Sequence, residues 1–297
     1  MRELVVISGK GGTGKTSISA SLFALADNAL IVDCDVDAAN LHLLLNPNNR
    51  HQWSFFGGNV ATIDPIKCNK CNKCKERCRF DAISSPAENK SANYIIDPIS
   101  CEGCGVCVDS CPQNAIELHL SDTGKWFIAD TRLGSMIHAR LNIAAENSGK
   151  LVSLIRHEAK AFAGLNGNQL IICDGPPGIG CPVIASITLA DFALIVTEAT
   201  LSGLHDLIRV IDLCQQMKVK TGICINKADI NLEISNQIEV EAQQRNIPIL
   251  GRISYDDAVT KAQIQNLTIV ENNNTIIAKE IKKLWAQVTD ALNTVTI

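Results

Sequence analysis

Short aliphatic runs punctuate this chain, and most are followed by a stretch with apolar residues at helical spacing. Leu4-Val5-Val6-Ile7 precedes Ser17-Ile18-Ser19-Ala20-Ser21-Leu22-Phe23-Ala24, and Ala29-Leu30-Ile31-Val32 ends in Asp33-Cys34-Asp35. Further runs are Leu170-Ile171-Ile172-Cys173-Asp174, Phe192-Ala193-Leu194-Ile195-Val196-Thr197-Glu198 and Thr221-Gly222-Ile223-Cys224-Ile225-Asn226. Continuous apolar runs of this length mark strands covered on both faces. Strands that alternate with helices close into a parallel sheet, so the expected fold is α/β, mostly parallel and flanked by helices. Helices are expected over Leu151–Phe162, from Thr200 through Asp206, and over Ile276–Leu292, where the apolar spacing fits packing on a sheet.

The pattern lapses twice. From Asn46 to Gly58 it dissolves into Asn, Pro, Gly and His, with Trp53, Phe55 and Phe56 interspersed, which predicts a linker or lid with an aromatic anchor. Gly124-Lys125-Trp126-Phe127-Ile128-Ala129 predicts a strand that returns the chain to the sheet, whereas residues 131–149 carry no readable signal. Three segments result: 1–58, an insertion over 59–120, and 121–297.

Composition narrows the class. The 297 residues are 46% hydrophobic with a net charge of −4, enough for a large core and no bulk reason to expect nucleic acid. No apolar run approaches the length of a membrane span, and the N-terminus enters a strand without the apolar core of an export signal. Membrane association is not expected. Thirteen cysteines without an export signal predict metal ligation in a reducing cytoplasm.

Between the first strand and the first helix stands Gly9-Lys10-Gly11-Gly12-Thr13-Gly14-Lys15-Thr16-Ser17, a complete G-x-x-x-x-G-K-[ST] in its required context. Glycines let backbone N–H groups converge on phosphate oxygens, and the helix N-terminus adds its positive end. Lys15 is expected to reach the β- and γ-phosphates, and the Thr16 hydroxyl to join a Mg²⁺ shell with Asp174, at the end of its strand. Asp35 is expected near the phosphates, while Asp33, one residue off the alternation, is expected to face elsewhere, with a place in the Mg²⁺ shell as the alternative.

The insertion holds Cys68-x₂-Cys71-x₂-Cys74-x₃-Cys78 and Cys101-x₂-Cys104-x₂-Cys107-x₃-Cys111-Pro112. Each half matches the bacterial ferredoxin run, in which three close cysteines hold one [4Fe–4S] cluster and the fourth crosses to the other. The expected sets are Cys68, Cys71, Cys74 and Cys111, and Cys78, Cys101, Cys104 and Cys107. Zinc is the rival, since C-x₂-C pairs also build ribbons. Arg79 stands where such runs usually carry proline.

Charge differs between the halves. Lys67, Lys70, Lys73, Lys75, Arg77 and Arg79 surround the first run with Glu76 opposing, whereas Asp97, Glu102 and Asp109 flank the second. The first site is expected to be the easier to reduce, and its basic face to suit an acidic donor such as a ferredoxin or flavodoxin. The remaining cysteines, Cys34, Cys173, Cys181, Cys214 and Cys224, are expected to be ordinary buried thiols.

Lys10, the second lysine of the phosphate loop, gives Lys10-Gly11-Gly12-Thr13-Gly14-Lys15-Thr16 a resemblance to the deviant loop of the MinD/ParA superfamily of ATPases. The resemblance extends to Asp35-Val36-Asp37-Ala38-Ala39-Asn40-Leu41 as first switch, Gly175-Pro176-Pro177-Gly178 as second, and Asn226-Lys227-Ala228-Asp229 with Ile249–Asp256 as base loops. Ser254 departs from the usual proline. The resemblance implies a P-loop NTPase fold, a homodimer in which Lys10 reaches the partner's phosphates, Asp35 orienting the attacking water, and Asn226 against adenine. Guanine stays open, because N-K-x-D also reads that base.

Together these features predict an ATP-hydrolysing iron–sulfur protein in which nucleotide-driven dimer switching is coupled to electron transfer. The alternatives are an ATP-dependent cluster carrier or assembly factor, in which clusters are cargo, and a nucleotide-bound redox sensor.

Overall fold

The computed structural model describes residues 1–85, 93–143, 145–271 and 275–294. In chain order the first elements are β1 (Arg2–Ser8), α1 (Lys15–Leu25), β2 (Ala29–Asp33), α2 (Leu41–Leu45) and β3 (Asn48–Ile63). Next come α3 (Lys73–Arg77), β4 (Ile83–Ser84), β5 (Ile95–Ile96), α4 (Val106–Asp109), β6 (Ile116–Thr131), β7 (Gly134–Leu141) and α5 (Ser148–Asn166). The remainder alternates regularly: β8 (Leu170–Pro177), α6 (Cys181–Ile187), β9 (Phe192–Glu198), α7 (Leu201–Gln216), β10 (Thr221–Asn226), α8 (Leu232–Gln244), β11 (Ile249–Ile253), α9 (Ala258–Ile264) and α10 (Ile276–Asn293).

The main sheet has the order β11-β10-β9-β1-β8-β2-β7-β6-β3. β1 lies between β8 and β9 and pairs in parallel with both; the β2–β8, β2–β7, β9–β10 and β10–β11 pairs are parallel too. Leu4, Val5, Val6 and Ile7 are wholly buried, as two-sided coverage requires. α10 buries Ile277, Ala278, Ile281, Leu284, Val288 and Leu292 on one stripe and joins the core, as its spacing predicts. All strands in the parallel set point their carboxyl ends the same way, which gathers Ser8, Asp33, Asp174, Glu198 and Asn226 at one rim.

The segment 46–58 is corrected by the structure. It is not a linker: β3 begins at Asn48, and Trp53 stacks on Trp126 of β6 with centroids 4.1 Å apart. Its first seven residues are all exposed, so the strand carries no inward apolar pattern to read. The expected strand Gly124–Ala129 lies inside β6, and the unassigned segment supplies β7.

The chain divides into two compact units: residues 1–53, 126–140 and 148–297 form the first, and 54–125 with 141–147 the second. The insertion 59–120 falls within the second. That unit has a small core of its own, Ala61, Cys74, Ile83 and Ile116, against which Cys78, Cys101, Cys107 and Cys111 pack. It also repeats itself. Residues 33 apart share a backbone: Lys70 and Gly103, Asn72 and Gly105, and Asp81 and Asn114 all have left-handed φ. The Asp64 N–H donates to the Ala115 carbonyl at 2.7 Å, and the Asp97 N–H to that of Ala82 at 2.8 Å, a reciprocal exchange between halves.

Candidate functional site

The loop after β1 turns at Gly12 (φ 81°) and Gly14 (φ 86°), conformations that need no Cβ. A Cβ on Gly14 would lie 2.3 Å from Asn226 Nδ2, so glycine is required there on two counts. α1 begins at Lys15, and its free N–H groups face the loop. A cavity of about 1160 Å³ opens over Gly11, Gly12, Thr13, Gly14, Lys15, Thr16 and Asp35. A neighbouring one of about 750 Å³ is lined by Gly14, Asn226, Ser254, Tyr255 and Gln263.

Lys15 is buried, with Nζ 3.1 Å from Asp174 Oδ1 and 3.9 Å from Asp35 Oδ2. Burial pulls its pKa down, but Asp174, Asp35 and Asp33 outweigh that and hold it above the ordinary lysine value. The Thr16 hydroxyl donates to Asp174 Oδ2 at 2.8 Å, so the two groups expected to hold Mg²⁺ face each other. Thr13 Oγ1 is buried without a partner in the same loop. An orphaned donor beside a cation and a helix N-terminus is the chemistry a phosphate anion would complete.

Asp33 does not line the cavity over the loop: wholly buried, it accepts the Asp35 N–H at 3.1 Å and the Leu41 N–H at 3.3 Å. Burial and then Asp174 push its pKa well above the usual carboxylate range. Asp35 is raised as well, by burial first, with Lys15 opposing and Asp174 assisting.

Several site residues escape a sequence reading. The Ser19 hydroxyl lies 2.8 Å from Asp174 Oδ1; its position one turn after Lys15 on α1 is the only hint. Gln263 Nε2 donates to Ser17 Oγ. Glu198, at the end of β9, holds Lys10 at 2.5 Å and Lys227 at 3.1 Å, and Lys10 also donates to Thr200 and Ser202. Gly9 completes the loop start, with Asp206 packed against it. Asn226 is buried and donates to the Thr13 carbonyl at 2.7 Å, while the Asp229 carboxylate accepts the Tyr255 N–H at 2.7 Å. The group through which N-K-x-D would read guanine is thus engaged by the chain itself.

In the second unit, Cys78, Cys101, Cys104 and Cys107 line one cavity, and these four are one expected ligand set. In the other set, Cys68 and Cys71 lie close enough to Cys74 to oppose its ionisation, after burial, and Cys111 Sγ accepts the Ala115 N–H at 3.3 Å. Cys101 and Cys104 act on Cys107 likewise. Among the described residues, no group of three or more His, Cys, Asp or Glu side chains converges tightly enough to hold a single metal ion. Cys34, Cys173, Cys214 and Cys224 are buried as expected, but Cys181 is exposed at the start of α6, a second correction. Burial pushes the Cys214 thiol up to about 11.

Residues 4–269 match the CobQ/CobB/MinD/ParA nucleotide-binding domain. An uncharacterized protein of Methanocaldococcus jannaschii is 33% identical over 291 residues, 95% of each chain, and a putative septum site-determining protein MinD of Tupiella akineta is 26% identical, covering 87% of this chain and 68% of its own. Among solved structures, the septum site-determining protein MinD of Pyrococcus horikoshii complexed with Mg-ADP superposes with a TM-score of 0.59 at 17% identity, covering 99% of this chain and 98% of that one. No helix among the described residues is long and apolar enough to cross a membrane. With its phosphate loop, its parallel sheet and a family match over nearly its whole length, the chain belongs to the CobQ/CobB/MinD/ParA nucleotide-binding family and has the α/β P-loop fold.

Proposed function

We propose that this protein is a Mg²⁺-dependent ATPase that works as a homodimer and couples nucleotide-driven switching to electron transfer through two [4Fe–4S] clusters in an inserted ferredoxin domain, residues 59–120. The observation that carries the reading is the repeat in the second unit, with four cysteines around a single cavity. A tetrahedral zinc would draw four sulfurs to about 3.8 Å of one another, from its Zn–S distance. Two runs of four cysteines at identical spacing are a pattern that zinc pairs do not impose. The small core of the unit also fits a module whose stability needs an inorganic staple.

In this reading Gly11, Gly12, Thr13, Gly14 and the first N–H groups of α1 bind the phosphates, and Lys15 neutralises their charge. Thr16 and Asp174 would hold Mg²⁺, which would neutralise charge developing on the phosphates. Asp35 orients the attacking water, Asn226 contacts adenine, and Lys10 crosses to the partner's phosphates. Cys68, Cys71, Cys74 and Cys111 hold one cluster; Cys78, Cys101, Cys104 and Cys107 hold the other, each able to carry one electron. Coupling is supported by connectivity, since the insertion follows the Asp35 segment with only α2 and the start of β3 between. A redox partner is an acidic one-electron carrier, of the ferredoxin or flavodoxin kind, in a cytoplasmic setting.

The test is anaerobic purification, iron and sulfide counting, and ATPase assay with and without dithionite. About eight irons per chain and hydrolysis that responds to reduction support the reading; colourless protein overturns it. Exposure of Cys71 and Cys104 favours the rival in which clusters are cargo. Clusters retained in the presence of an apo-acceptor argue against that rival.

A further inference from the structure

The two cysteine halves offer an internal comparison. Their backbones agree at several equivalent hydrogen bonds and left-handed turns. The Glu76 N–H donates to the Asn72 carbonyl at 3.1 Å and the Asp109 N–H to that of Gly105 at 3.2 Å, residues 33 apart. The Cys78 N–H donates to Lys75 at 3.2 Å and the Cys111 N–H to Val108 at 3.1 Å. α3 and α4 start at equivalent positions. Asp64 and Asp97 cap equivalent turns, and hydrogen bonds within those turns hold both carboxyls below the usual range. The backbone frame of the two turns is therefore similar, although the bond from the Ala115 N–H to Cys111 Sγ has no counterpart at Cys78 among the described residues.

What differs is charge. From Asp64 to Asp81 there are six bases and three acids; from Asp97 to Asn114 there are three acids and no base. The difference is concentrated at exposed positions. Lys73 stands where Val106 does, Lys75 where Val108 does, and Arg79 where Pro112 does, while Glu102 takes the place of Asn69. Lys67 is drawn to Asp64 and Glu117, at 3.5 and 3.7 Å, so Lys73, Lys75, Arg77 and Arg79 carry the contrast. These charges stand within a few residues of their cysteines along the chain, and salt screening weakens their effect as ionic strength rises.

We propose that this asymmetry sets the order of electron entry: the site of Cys68, Cys71, Cys74 and Cys111 is the higher in potential and receives the electron first, and Glu102 and Asp109, the latter matched by Glu76 but here unopposed by any base, hold the other site lower. The inference rests on the iron–sulfur reading above. The balance is simple: a one-electron donor is oxidised, and one negative charge is added among the bases of the first half. Because the donor approaches that half, its own surface is expected to be acidic.

The experiment is an electron paramagnetic resonance redox titration of the anaerobically purified full chain with dithionite. Three proteins are compared: the parent, a Lys73→Gln/Lys75→Gln/Arg77→Gln variant, and a Glu102→Gln/Asp109→Asn variant. All substitutions lie at exposed positions and spare every cysteine, and iron counting confirms loading. The first set is expected to lower the higher midpoint and the second to raise the lower one, so each narrows the gap, and raising ionic strength narrows it in the parent. Two midpoints that stay put in iron-loaded variants, or a basic set that moves the lower midpoint, overturn the inference and leave the iron–sulfur reading intact. A parent that holds no iron removes that reading and this inference with it.

Discussion

Lys10 Nζ lies 2.5 Å from Glu198 Oε1 within one protomer, and Lys227 Nζ holds the other carboxylate oxygen at 3.1 Å. For Lys10 to serve a partner's phosphates this pair has to open. If Lys10 has the role proposed above, Glu198 opposes the dimer, and Glu198→Gln is expected to favour nucleotide-dependent association. A half-buried ion pair of this kind contributes about 1 kcal/mol, which is roughly fivefold in the dimer constant. Sedimentation with ATP checks this; an unchanged or weaker dimer refutes the latch. Burial works against the Glu198 charge, but hydrogen bonds from Lys10 and Lys227 overcome it and lower its pKa. A lowered carboxylate pKa means the latch persists through neutral pH and is lost only as pH falls through that lowered value.

Lys15 stands among Asp33, Asp35 and Asp174, so its removal does more than weaken phosphate binding. Lys15→Ala is expected to abolish hydrolysis. It is also expected to destabilise the nucleotide-free chain by about 3 kcal/mol, because buried carboxylates lose their counter-charge. The signs can be worked through. Asp33 has a raised folded pKa, so the cost of its charge is full above that pKa and fades as pH falls through it. The destabilisation is therefore smaller at pH 5 than at pH 8, and Asp33→Asn in the Lys15→Ala background recovers part of it. Denaturant unfolding at the two pH values measures all three effects.

His138 stacks on Phe127 with centroids 4.7 Å apart and hydrogen-bonds Asn49. Burial first, then His42 and Arg140, lower its pKa to about 4. The unfolded chain takes up a proton on this group below pH 6.5 while the folded chain does not. Stability is thus expected to fall between pH 6.5 and about 4, by up to about 3 kcal/mol from this residue. His138→Gln should flatten that slope in pH-dependent thermal unfolding; an unaltered slope assigns the acid sensitivity elsewhere.

The uneven legibility of this chain follows from how far each signal reaches. The phosphate loop is contiguous, and its chemistry needs particular residue types at fixed spacing, so Gly9 through Ser17 could be read directly. The cysteine halves carry a contiguous spacing of the same kind, and Cys78, Cys101, Cys104 and Cys107 line one cavity. Glu198 was not legible, because it meets Lys10 only once the strand order brings β9 beside β1. The partners of Asp33 were not legible because alternation holds within a strand, whereas Asp33 ends β2 and turns its carboxylate onto the N–H groups of the following loop. β3 was missed because its exposed first half shows neither face buried.

Gly103 and Lys70 occupy the same turn of the repeat, both at φ 61°. The lysine demonstrates that this conformation accepts a side chain, so the left-handed turn alone does not explain glycine at 103. The neighbour does: a Cβ on Gly103 would lie 2.2 Å from the Asn59 carbonyl oxygen, backbone that cannot step aside. Gly105 differs, with φ 81° and Leu118 Cδ1 at 3.5 Å as the nearest atom a Cβ would meet. Gly105→Ala is therefore expected to cost about 1 kcal/mol, the ordinary penalty for a left-handed alanine. Gly103→Ala is expected to cost more than twice as much by displacing the 59–61 strand segment from the cysteine turn. Hydrogen exchange separates the two. Gly103→Ala should lose protection throughout residues 54–125 while residues 148–271 keep theirs, and Gly105→Ala should retain protection in both. Equal losses in the two variants would mean that backbone conformation, and not the approach of Asn59, selects glycine at 103.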